Sequence, residues 1–104
     1  GPYDNILVKS SVVVPQDIKV TVTTDDVASD SEVEGKVASI LTELLAVRKG
    51  RKFYELTRSD INHAIREGYT ASTNVEVVTP AQDVTLDKDK VITLGAVTVT
   101  VRRE

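Results

Sequence analysis

The stretch DIKVTVTTDDVASDSEVEGKVASILTELLAV, residues 17–47, changes its hydrophobic period part-way along, and that change decides the fold class. At its start Ile18, Val20 and Val22 alternate with Lys19, Thr21 and Thr23, the period of two that places apolar side chains on one face of a strand. DDVASDS at 25–31 then supplies turn and cap formers. Beyond it Val33, Val37, Ile40, Leu41, Leu44 and Val47 recur at steps of three and four, the apolar stripe of a helix. Ser31 followed by Glu34 has the form of a capping box, which predicts a helix start near Glu32. Arg48 and Lys49 sit where cations meet the negative end of the helix dipole, and Gly50 stops the helix.

Working outward toward the C-terminus, Thr57 and Asp60 repeat the start signal, with Leu56 and Ile61 placed as a hydrophobic staple. A second helix is predicted from about Arg58 to Glu67, ending at Gly68 and offering Ile61, Ala64 and Ile65 to the core. The rest is extended: TNVEVVT at 73–79 stops at Pro80, DVTL at 83–86 is short, and the DKDK turn at 87–90 leads into VITLGAVTVTV at 91–101. In that last run Ile92 and Leu94 lie on even positions, whereas Val97, Val99 and Val101 lie on odd ones. A regular strand would turn the two sets to opposite faces, so a bulge at Gly95-Ala96 is expected. Toward the N-terminus, Ile6–Val14 reads as a lead-in to Pro15, a residue suited to a strand entry or edge. Lys19, Lys88 and Lys90 are placed to discourage indiscriminate strand pairing.

The expected fold is α+β, with two helices packed on one face of a small three- to four-stranded, mainly antiparallel sheet in the order β-α-α-β-β(-β). Residues 1–11 are read as an expression scar, Gly1-Pro2, and a lead-in; residues 12–104 are read as a single domain forming the C-terminal portion of a longer protein. The 104 residues suit one core, since two would leave about 50 residues each, near the limit of independent folding. With 18 Val and 12 Thr against four aromatic residues, the composition itself favours sheet.

Composition also narrows the chemistry. Without Cys there is no disulfide framework, thiolate nucleophile or cysteine zinc site, and the lone His63 falls short of the two or three imidazoles of a histidine zinc site. Asp60 and Glu67 flank His63 at i−3 and i+4, yet no nucleophile or second imidazole accompanies it, and an exposed helical histidine is the ordinary explanation. Asp83, Asp87 and Asp89 lack the glycine and terminal glutamate of a calcium loop and read as a solvated hairpin end. No catalytic, cofactor-binding or metal-ligating residue is therefore assigned. The net charge of −3 argues against a surface tuned as a whole to nucleic acid or anionic lipid. No apolar run approaches the roughly 18 residues of a membrane span, and no leader pattern opens the sequence.

Arg48, Lys49, Arg51 and Lys52, gathered around Gly50 between the two helices, form the sharpest charge feature and the one candidate interaction loop. Cations at such a loop can contact phosphates; on most surfaces they are simply solvated, here beside Glu43 and Glu55. Phe53 and Tyr54 next to them are placed either to stack on a base or, more commonly, to plug a core. The element order invites comparison with KH-type domains, which clamp single-stranded nucleic acid with a GxxG loop. Here that loop reads GRKF from Gly50 to Phe53, without the second glycine.

A broader pattern covers the chain from about residue 12. VVVPQDIKVTVTT at 12–24, VEGKVASILTELLAVRKGRKF at 33–53, LTRSDINHAIRE at 56–67, NVEVVTPAQDVTL at 74–86 and the closing VITLGAVTVTV at 91–101 together resemble the C-terminal domain of the Baseplate J-like family, wedge proteins of contractile phage tails and related injection machines. The resemblance implies a non-catalytic assembly role with no cofactor. It also implies other baseplate or tail proteins as partners, self-association within a full-length ring, and a place in the virion baseplate or in an injection machine assembled in the bacterial cytoplasm. The KH-like, nucleic-acid-binding role of residues 48–52 is the alternative.

Overall fold

Alternation produces the central strand. β1 runs over Val12–Thr24, and its even-numbered Ile18, Val20 and Val22 are fully buried while Lys19 on the other face is exposed. The computed structural model describes residues 12–47 and 52–103; after β1 come α1 (Asp30–Val47), β2 (Glu55–Leu56), α2 (Arg58–Gly68), β3 (Ser72–Thr79), β4 (Val84–Thr85) and β5 (Lys90–Arg103). β1 lies between β3, to which it is antiparallel, and β5, to which it is parallel. β2 and β4 form a separate antiparallel pair. The class is α+β as expected, with antiparallel pairings in the majority and the principal sheet mixed.

Both helices feed one core on one side of this sheet. Val33, Val37, Leu41 and Leu45 of α1 and Ile61 and Ile65 of α2 join Ile18, Val20, Val22, Val75, Val77 and Ile92 in a single buried cluster. Each such aliphatic side chain contributes about 1.5–3 kcal/mol when withdrawn from water. The predicted stripe holds for Val33, Val37 and Leu41, with Ile40 and Leu44 packed at its margin. Its C-terminal end needs correction, because Leu45 is buried and Val47 is 50% exposed. Four residues beyond Leu41 returns to the same helix face, whereas six does not.

The helix start also moves. α1 begins at Asp30, and Ser29 Oγ, not Ser31, accepts the Glu32 N–H at 3.3 Å. Ser29 and Glu32 have the same S-x-x-E spacing as Ser31 and Glu34, and the earlier site puts both Asp30 and Glu32 in the first turn, where the dipole favours them. α2 follows its reading closely: Thr57 caps it by accepting the Asp60 N–H at 3.1 Å, and the staple residues Leu56 and Ile61 are both fully buried. Gly68 closes α2 where a Cβ would lie 2.7 Å from Ile40 Cδ1, so its bareness lets the two helices approach.

The bulge lies where the parity change put it. Gln16 pairs with Leu94 but Ile18 pairs with Val97, so β5 carries one residue more than β1 across this step. Asp17 stabilises the irregularity by accepting the Ala96 N–H at 2.9 Å, and a Cβ on Gly95 would stand 2.4 Å from Asp17 Oδ1. Ile92, Leu94, Val97, Val99 and Val101 consequently all pack on the core.

Pro15 belongs to β1 itself rather than to a separate lead-in. β3 reaches β1 only from Lys19 to Thr24, so at Pro15 the strand has β5 alone as a neighbour and behaves as an edge. The short DVTL strand joins neither β3 nor β5 but pairs with Glu55–Leu56. The Thr79–Pro80 peptide bond between β3 and β4 is cis.

Candidate functional site

The basic loop falls largely outside the described residues: Arg48, Lys49 and Arg51 do so, and Lys52 is exposed. Phe53 is 52% exposed and is not a core plug. Backbone groups dock this segment instead. The Phe53 carbonyl accepts the Ile92 N–H at 2.8 Å, the Tyr54 carbonyl accepts the Leu86 N–H at 2.9 Å, and neighbouring Leu56 supplies the buried side chain. Exposed Phe53 therefore follows exposed Lys52 in the middle of the interhelical connection.

His63 sits on the solvent side of α2 and pairs with Glu67 one turn on, both side chains more than two-thirds exposed. Asp83 has a structural task, accepting the Arg58 N–H at 2.8 Å at the start of α2. Asp87 and Asp89 lend backbone carbonyls to Lys90 and Val12 at 2.9 Å each. Among the described residues no group of three or more His, Asp or Glu side chains is arranged to hold a metal ion. Among them, too, no helix is long and apolar enough to cross a membrane.

The side of the sheet away from the helices is uncovered by any described element. Cross-strand register assembles it in rows: Glu76, Thr21 and Thr100; Asn74, Thr23 and Arg102; Lys19 beside Thr98. The centre is threonine and the corners carry charge of both signs. Threonine is stiff at its first side-chain torsion, so a partner docking here orders few rotamers. Lys19 is in the middle strand of the sheet and does not guard an edge, which corrects the role expected of it.

One end of the sheet is tied down by a polar cluster that the linear pattern did not reveal. Thr24 continues the buried even-numbered face of β1 and is fully enclosed. Its Oγ1 accepts the Asp26 N–H at 3.0 Å and lies 3.0 Å from the Tyr69 hydroxyl and 3.1 Å from the Ala71 carbonyl. The Tyr69 hydroxyl donates to Asp26 Oδ2 at 3.2 Å, and the Ala28 N–H donates to Asp26 Oδ1 at 3.2 Å. The Ala28 N–H, followed by the Tyr69 hydroxyl, holds the Asp26 carboxyl below the ordinary aspartate value. Arg103, at the end of β5, donates to the Asp26 and Ala28 carbonyls and to Asp30 Oδ1. A polar residue falling on an apolar phase at Thr24 was the available signal.

The outer edge of β3 is engaged by α2. Asn62 Nδ2 donates to the Val75 carbonyl at 2.9 Å, and the Arg58 guanidinium donates to the Val77 carbonyl. Between the helix and the strand runs an open, mainly polar groove of about 530 Å³, lined by Arg58, Ser59, Asn62, Asn74 and Glu76. No protein-family model matches the chain, and no curated protein matches it.

Proposed function

We propose that this chain is a non-catalytic protein–protein assembly module of a phage or phage-like baseplate. It joins other baseplate or tail proteins in the virion or in an injection machine assembled inside the bacterium. The uncovered sheet face carries the reading: a stiff threonine surface, with Lys19 and Arg102 against Glu76, offers shape and charge for a partner without side chains organised for bond chemistry. The sequence resemblance described above supplies the kind of assembly.

Co-expression of the chain with candidate wedge and tail proteins, followed by co-purification, tests this. A stable complex is expected, weakened about tenfold or more by Lys19→Glu with Glu76→Lys, which reverse the charges on the face. Absence of any complex, or one indifferent to both reversals, would sink the proposed face. Phe53 exposed beside Lys52 favours one other reading, a KH-like single-stranded nucleic-acid surface at residues 48–52. A salt-dependent complex with single-stranded RNA, abolished by Arg51→Glu with Lys52→Glu, would put that reading in place of the first.

A further inference from the structure

β5 is an outer strand of the three-stranded sheet, and the orientation of its backbone can be followed along its length. The Ile92 N–H goes to the Phe53 carbonyl, off the sheet, so core-facing Ile92 turns its backbone groups away from β1. Beyond the bulge Val97, Val99 and Val101 pair with Ile18, Val20 and Val22 just as Ile92 pairs with Val14. Their N–H and C=O groups therefore point to the outer edge, where no described strand meets them. The run Val97–Val101 alternates Val with Thr and contains no charge, proline or glycine, so the usual devices that blunt an edge are missing from it.

We propose that a second copy of this chain pairs with this edge, β5 antiparallel to β5, about a two-fold axis at Val99. Because VTVTV reads identically in both directions, a two-fold axis at Val99 sets valine opposite valine and threonine opposite threonine, a self-complementary patch. In this register Val97 of each copy lies opposite the second copy's Val101, and Thr98 opposite the second copy's Thr100. The half-buried valines of the two copies then extend one apolar layer, while the threonines extend the open face. Charge complementarity selects the same register. Arg102 comes opposite the second copy's Ala96, whose N–H is held by the second copy's Asp17. Two strand spacings, about 10 Å, separate the Arg102 backbone from the backbone of the second copy's Asp17, a span that the two side chains bridge. Arg103 meets no opposing cation, being turned back onto Asp30 of its own chain at 2.7 Å.

This deepens the assembly reading and rests on it for biological purpose, though not for geometry. Sedimentation velocity of the 104-residue chain, from about 1 µM to about 1 mM, tests it. A concentration-dependent dimer is expected, with slower hydrogen exchange at the Val97, Val99 and Val101 amides as it forms. Thr98→Lys with Thr100→Lys, and separately Thr98→Glu with Thr100→Glu, change only exposed side chains and face like charge with like across the axis. Each pair weakens the dimer about tenfold or more. An equimolar mixture restores it as a heterodimer, and circular dichroism checks that each variant is folded. A chain that stays monomeric throughout, a monomer whose Val99 amide is already protected, or a dimer insensitive to both pairs would overturn the proposal. A dimer that binds no baseplate protein refutes only the assembly reading; a baseplate complex built by a monomer refutes only the two-fold pairing.

Discussion

β3 and β5 are the two outer strands of one sheet, similar in their Val and Thr content, yet their edges are finished in opposite ways. The β3 edge has its Val75 and Val77 carbonyls taken by Asn62 and Arg58, side chains from a helix that folds directly before the strand. The β5 edge is tied at its ends, by Phe53 at Ile92 and by Arg103 onto Asp26, Ala28 and Asp30, and between them no described strand pairs with it. Intramolecular hydrogen bonds thus engage two carbonyls of one edge, while on the other no described strand meets the outward donors and acceptors of Val97–Val101. In a sheet this small, edge protection is a local choice made by whichever helix lies alongside.

Removing the support of the protected edge has the largest effect. Ile65 is fully buried on α2, and Ile65→Ala should cost about 2–5 kcal/mol in urea unfolding, loosening the helix that carries Asn62 and Arg58. An unchanged midpoint would mean that α2 is not held by this core. Next comes the bare edge's own geometry. Gly95→Val places a Cβ against Asp17 and the Gln16 backbone, so about 1–3 kcal/mol should be lost as the bulge is forced open. Retained stability, together with an intact hydrogen bond from the Ala96 amide in NMR, would contradict the role given to glycine there.

A smaller change sharpens the contrast without touching the core. Asn62→Ala removes the partner of the Val75 carbonyl, costs about 1 kcal/mol, and should raise self-association through β3, read by light scattering at matched concentration. Indifference in both measurements would show that the β3 edge is guarded by something other than α2. The smallest effect concerns the anchor near the end of β5. Because the folded-state carboxyl of Asp26 titrates below its unfolded value, its contribution is complete above the ordinary aspartate range and disappears as the pH falls through the lowered value. Asp26→Asn should flatten that part of the acid unfolding curve; an identical pH dependence in the variant would remove Asp26 from the account.

Much of the architecture was legible in the chain because the signals are local. Periods of two and three-to-four marked β1 and both helices, Thr57 and Gly68 bounded α2, and the switch from even to odd positions in β5 announced a bulge whose glycine now has a geometric reason. Where two equivalent local signals competed, as with Ser29 and Ser31, spacing alone did not choose between them. The candidate site was less readable. The basic loop was visible as charge, but the exposure of Phe53 depends on backbone docking against β5, and the joining of Thr24, Asp26, Tyr69 and Arg103 depends on groups distant in sequence.

By itself the sequence determined the two helices and the long strands β1, β3 and β5 with most of their apolar faces, since those follow from side-chain periodicity and capping within a few residues; the two-residue strand Glu55–Leu56, which exists only by pairing with Val84–Thr85, was not among them. Only the tertiary structure decided that β1 is the middle strand, that β5 runs parallel to it, and that α2 engages the edge of β3 and not that of β5. Strand order, direction and edge protection are contacts between segments tens of residues apart, and no local propensity records them.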